Sequence, residues 1–281
     1  MRVPFFLIAF SLCSSGALSQ DLNGFEKILL PAYGITSGVS GTTWHGELLA
    51  FNSADREIFY YPTYPGSAIE NPPGRPPQIG TLRALFGGKL YRVDSRFLGF
   101  PAGPPGIGRV LYIERGAPVS LNLRIFEEKH PDAMTEIPVA RESDFRTAST
   151  FLVNIPIQLP SNTTFRKLLR VYDPDQNPDG QVLIRLWNVR GGNSSVIAEQ
   201  QVAFKIFVPD PKSTVDAGDR SVAGLIELDL ERFANPLSKI DDPLNTSLAV
   251  EVVPLTANLR FWAMVTLTDD ATQHVTTVTP H

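Results

Sequence analysis

Between Phe165 and Trp187 the chain reads FRKLLRVYDPDQNPDGQVLIRLW, two runs of period-two alternation joined by a segment rich in Asp, Asn, Pro and Gly. Phe165, Lys167, Leu169 and Val171 share one side of the first run; Arg166, Leu168, Arg170 and Tyr172 share the other. In the second run Val182, Ile184 and Leu186 oppose Leu183, Arg185 and Trp187. Successive strand side chains point to opposite faces, so the pattern predicts two strands joined as a hairpin, with one face wet. A chain built on this plan must bury one face of each strand against another sheet.

The rest of the chain repeats the plan. Strands are predicted at 26–33, 43–52, 56–61, 89–93, 109–114, 118–127, 135–140, 150–157, 196–208, 247–253, 260–268 and 274–279. Ile226, Leu228 and Leu230 alternate with Glu227, Asp229 and Glu231 in the same way. The stretch 62–80 is dense in Pro and Gly; proline fixes φ and lacks an amide donor, which predicts a long surface loop without ladder strands. The one candidate helix runs from Glu231 toward Lys239, and Pro236 would cut it. Short alternating strands with Pro/Gly turns predict an all-β fold: two antiparallel β-sandwich domains in tandem, immunoglobulin-like or jelly-roll-like. The predicted boundaries are a signal peptide at 1–19, an N-terminal sandwich at 20–143 and a C-terminal sandwich at 144–281. The halves echo each other. ILLPAY then TTWHGELLAFN parallels FLVNIPI then TTFRKLLRVYD, and SLNLRIFEE parallels WAMVTLTDD, as a duplication would produce.

Arg2, the apolar run Phe5–Leu12 and the small-x-small pattern Ala17-Leu18-Ser19 read as an export signal cleaved before Gln20. The apolar run is well short of the roughly 20 residues that span a bilayer. Cys13 is the only cysteine, and Leu12 before it argues against lipid attachment. The processed chain would then hold no disulfide, thiolate ligand or cysteine nucleophile. The formal net charge is −4 with no basic tract, which disfavours nucleic acid, and no later stretch predicts membrane insertion.

Three linked segments carry a resemblance. They are the ILLP strand with its following Trp-containing strand (Ile28–Pro31, Trp44–Asn52), the TEIPV to YD segment (Thr135–Asp173), and the TQHVTTVTP ending (Trp262–Pro280). In these the chain resembles a family of exported tandem β-sandwich proteins of soil bacteria. The resemblance implies a secreted β-sandwich protein and brings no activity or ligand.

Three constellations could carry chemistry. Asp173, Asp175, Asn177 and Asp179 place oxygen ligands at alternate positions of the connecting loop, a spacing that suits calcium. The loop lacks the Gly and Glu of an EF-hand, and the same residues build tight turns. Tyr60, Tyr61 and Tyr64 beside the proline-rich stretch could stack on a sugar or a partner protein, or cover the first core. His45 and Glu47, two apart on a strand, share a face, but no HExxH pair or Gly-x-Ser-x-Gly elbow accompanies them.

The sequence thus predicts a secreted, extracytoplasmic, non-catalytic module that binds an unknown protein or glycan at the cell exterior, or a structural module there. Calcium is its single candidate cofactor. The alternatives are a carbohydrate-binding module and a polysaccharide hydrolase. N-terminal sequencing of exported material is expected to start at Gln20; a mature chain that keeps Cys13 would contradict the cleavage site.

Overall fold

The computed structural model describes residues 22–31, 35–37, 43–61, 68–69, 78–79, 83–94, 108–158, 164–206, 222–234, 237, 240–270, 272 and 274–280. They form an all-β, sandwich-type fold of antiparallel sheets with one short helix, α1 (Leu230–Ala234). The strands of the first half are β1 (Phe25–Leu30), β2 (Ile35–Ser37), β3 (Thr43–Asn52), β4 (Ile58–Tyr61), β5 (Ala68–Ile69), β6 (Gln78–Ile79), β7 (Arg83–Leu85), β8 (Leu90–Asp94), β9 (Arg109–Glu114), β10 (Val119–Glu127), β11 (His130–Ile137) and β12 (Ala140–Arg141). Sheet A has the order β12-β1-β9-β4-β7, and sheet B the order β11-β10-β3-β2 with β8 also on β3.

The second half contains β13 (Thr150–Pro156), β14 (Phe165–Asp173), β15 (Gln181–Arg190), β16 (Asn193–Ala203), β17 (Gly224–Asp229), β18 (Ser247–Pro254), β19 (Trp262–Asp269) and β20 (Val275–Val278). Sheet C runs β13-β18-β15-β16 and sheet D runs β17-β14-β19-β20.

Four expectations need correction. The Phe165–Trp187 stretch is not a hairpin: β14 pairs with β17 and β19 in sheet D, while β15 pairs with β16 and β18 in sheet C. The connection is an arch that carries the chain from one sheet to the facing one. Alternation survives because Leu169, Val171, Ile184 and Leu186 still meet in one core, all fully buried, but from opposite sides. The predicted 135–140 strand is two: β11 ends in sheet B, and Pro138, which has no amide to donate, precedes the crossing to β12 in sheet A. Unbroken alternation over 196–208 would put Val196 on one face with Ala198, Val202 and Phe204. In β16 a bulge at Ile197 resets it, and Val196 faces outward with 42% exposure. The 62–80 stretch contains a two-residue ladder, β5 with β6, whose residues are not prolines; the rest of that stretch lies outside the described residues.

The two halves have the same topology. Mapping β1, β9, β4 and β7 onto β13, β18, β15 and β16 reproduces the order of sheet C from that of sheet A. Mapping β11, β10, β3 and β8 onto β20, β19, β14 and β17 does the same for sheets B and D. The sequence echoes fall on these equivalent strands: TTWHGELLAFN ends in β3 and TTFRKLLRVYD in β14, SLNLRIFEE covers β10 and WAMVTLTDD β19. The match extends to single positions, since Leu48 and Ala50 correspond to Leu169 and Val171, and all four are buried.

The halves are stacked. Ile28, Leu111 and Ile113 face sheet B across the first core, where Leu111 and Ile113 line a small apolar cavity with Leu48, Ala50 and Tyr60. Leu29, Val110 and Tyr112, on the opposite side of sheet A, are also no more than 4% exposed. Tyr172, Trp262 and Met264 of sheet D join this cluster, with the Tyr172 and Trp262 rings 6.2 Å apart. Tyr172 lies so close that a Cβ on Gly108 would stand 2.6 Å from its ring and 2.9 Å from Leu29. The face of β14 expected to be wet is therefore dry at its Tyr172 end.

Denaturant unfolding provides the check. Leu169→Ala or Ile184→Ala is expected to cost about 2–5 kcal/mol through lost burial and a residual cavity. Tyr172→Ala, on the other side of its strand, is expected to cost a similar ~3–5 kcal/mol. A negligible loss for Tyr172 would mean that the two halves do not pack through it.

Candidate functional site

The segment 173–180 is built around Asp173, the last residue of β14 and wholly buried. Its carboxylate accepts the amides of Asp175 at 2.8 Å and Asn177 at 2.6 Å, and the Asn177 side-chain amide at 3.1–3.2 Å. These bonds fold the chain sharply as it leaves the strand, with Gln176 in the left-handed region at φ 52°. Thr256 closes the far end: its hydroxyl donates to the Asp179 carbonyl at 2.9 Å and accepts from the Gln181 amide at 3.0 Å. Burial, which disfavours the charged form, holds the Asp173 carboxyl above the ordinary range despite its amide donors.

The first half uses the same device. Asn52, the last residue of β3 and also fully buried, accepts the Ala54 amide at 2.9 Å and donates to the carbonyls of Arg56 and Leu85 at 2.8 Å. Asn52 corresponds to Asp173, and Ala54 to Asp175. What distinguishes the second arch is the carboxylate it presents outward.

Asp175 faces the junction between the halves. Arg260 grips it bidentately, Nε and Nη2 each donating at 2.7 Å to a separate oxygen, and the Lys27 ammonium contacts it from β1. The remaining Nη1 of Arg260 donates to Glu142 at 2.7 Å, and Glu142 also accepts from Arg115 at 3.0 Å. Arg115 donates in turn to the Phe25 carbonyl at 2.8 Å. The Arg260 guanidinium lies 5.9 Å from the Phe145 ring centre. Alternating charge thus runs Lys27, Asp175, Arg260, Glu142, Arg115, crossing between the halves at two places. Burial alone would raise the Asp175 and Glu142 carboxyls, but hydrogen bonds and charge from Arg260, with Lys27 and Arg115 respectively, outweigh it and leave both below the ordinary carboxylate range. The same two carboxylates hold Arg260 further toward its charged form.

The four residues proposed for calcium thus have separate settings. Asp173 is directed inward at backbone and side-chain amides, Asp175 at two cations, Asn177 donates to Asp173, and Asp179 is exposed. Among the described residues no group of three or more His, Cys, Asp or Glu side chains gathers as a metal site.

Tyr60 and Tyr61 do not form one platform. They are adjacent in β4 and point to opposite sides: Tyr60 lines the cavity of the first core, and Tyr61 packs against Phe25 on the other side at 5.0 Å. Burial, opposed by Arg83, raises the Tyr60 hydroxyl. Tyr64 lies outside the described residues. His45 and Glu47 do share a face, but the Glu47 carboxylate is buried against Arg92 and the His45 ring stacks on Phe126 at 5.5 Å.

The sequence pointed to Asp175 but not to its partners. Lys27 and Arg260 lie 148 and 85 residues from it, on separate strands or turns, and no local pattern marks them. Comparison with family models, curated proteins and solved structures finds no match. Among the described residues no helix is long and apolar enough to cross a membrane.

Asp175→Asn is expected to lower stability by about 2–3 kcal/mol at neutral pH, because two part-buried cations lose their counter-charge. A folded-state pKa below the unfolded value contributes stability that is complete above the unfolded value of ~3.9 and fades as pH falls through the folded one. Parent and variant should therefore converge in acid below about pH 3.9 in unfolding titrations. A gap that persists undiminished well below pH ~3.9 would show that Asp175 ionisation does not stabilise the junction.

Proposed function

We propose that this chain is an exported, non-catalytic binding or structural module of the cell exterior, with its two sandwiches held as one stacked unit. The observation that carries the reading is the Lys27–Asp175–Arg260–Glu142–Arg115 chain. The most concentrated set of ionisable side chains described above is paired internally, three cations alternating with two carboxylates, and spans the two halves, which suits a mechanical joint. Catalytic carboxylates need an opening toward substrate and pKa values pushed apart, whereas Asp175 and Glu142 are both pulled down by the same guanidinium. Export rests on the Ala17-Leu18-Ser19 pattern, and the sandwich-type fold agrees with the exported family that the chain resembles.

On this reading calcium is not a cofactor, because the best-placed loop carboxylate already has two cationic partners. Thermal unfolding in calcium should match that in magnesium at equal ionic strength. A calcium-specific rise in the melting temperature, absent from Asp173→Asn, would restore the metal site. Assays on soluble polysaccharides should release no reducing ends above buffer; release abolished by a single Asp or Glu substitution would overturn the non-catalytic reading.

A further inference from the structure

The contact between the two halves is heterologous. Sheet A of the first half meets sheet D of the second, and sheet D is the topological counterpart of sheet B, not of sheet A. Two mating faces therefore recur at the ends of the stack, unmated among the described residues. The outer side of sheet B is the counterpart of the sheet D face in the junction, and the outer side of sheet C is the counterpart of the sheet A face.

The end faces retain apolar character. Aligning Asn52 with Asp173 sets Phe51 at the position of Tyr172, an aromatic residue of the junction cluster. Tyr172 is fully buried, whereas Phe51 is 40% exposed. The strand neighbours correspond as well: Leu225 pairs with Tyr172 and packs in the junction cluster, while Leu90 pairs with Phe51 and is 64% exposed. On the outer side of sheet C, Phe151 and Val196 are each 42% exposed, and Trp187 pairs with Val196. An exposed apolar side chain alone is ordinary; the placement of Phe51 and Leu90 at the counterparts of the junction residues Tyr172 and Leu225 is the specific observation.

We infer that copies of this chain associate head to tail, the outer face of sheet C of one copy packing on the outer face of sheet B of the next. The occupant of each end face is a second copy, because the chain already contains one contact between faces of these two types. A heterologous contact that does not close into a ring propagates, so association yields open chains of copies. The ionic latch is not repeated, since Ala54 stands where the second arch has Asp175. The intermolecular contact is consequently weaker than the junction and depends on concentration. The inference goes beyond the proposed function and does not depend on export.

Sedimentation velocity of the full chain, from nanomolar to sub-millimolar protein, tests this with one variant per face. The parent should form a series of species extending past the dimer as concentration rises. Phe51→Lys and Phe151→Lys should each be monomeric over the range with unshifted thermal unfolding. Their equimolar mixture should give a heterodimer and nothing larger, because each supplies the face the other lacks. Leu90→Lys and Val196→Lys serve in the same roles if either first variant unfolds early. A parent that stays monomeric or stops at a dimer overturns the inference. So does association that survives both substitutions, or a mixture of the two variants that stays monomeric.

Discussion

The wholly buried Asp173 carboxylate, bonded to the amides of Asp175 and Asn177, fixes how the second half is put together. A tighter turn would return the chain alongside β14 and make the two runs neighbours in one sheet. The Asx-centred arch instead leads it across the core, so that Leu169 and Ile184 approach each other from facing sheets. Burying an ionisable group is costly unless its lone pairs are met, and here local amides meet them. Asn52 performs the same task in the first half with a neutral amide, which avoids that cost.

The second arch also sets the relation between the halves. Holding Asp173 inward turns Asp175 outward, where Arg260 and Lys27 close on it from the two halves. The apolar part of the junction lies beside it, with Leu29, Val110 and Tyr112 against Tyr172 and Trp262. Area burial of this kind supplies most of the favourable free energy, roughly 25 cal/mol per Å² of apolar surface removed from water. The ion pairs add direction: the two contacts that cross between the halves, Lys27 with Asp175 and Arg260 with Glu142, orient one half on the other.

The shared topology of the halves shows that the contact between them is asymmetric: sheet A meets sheet D, the counterpart of sheet B. Two copies of one topology met through unlike faces, which left one face of each type at the ends of the stack. Tyr172 stands where the first half has Phe51, and Asp175 where it has Ala54, so only the second arch supplies these side chains to the internal contact.

Period-two alternation determined, from the sequence alone, the β class, most strand positions and the inward residues, because side-chain direction in a strand follows from backbone geometry. The equivalence of TTWHGELLAFN with TTFRKLLRVYD, and of SLNLRIFEE with WAMVTLTDD, was legible for the same reason. Which strands become neighbours was not, since an Asp-Asn-Pro-Gly connection is compatible with both a hairpin and an arch. Nor could the sequence bring Lys27 and Arg260 to Asp175. Those relations join residues far apart in the chain, and only the packing of one sheet on another decides which of the many charged side chains in a sequence come within hydrogen-bond reach.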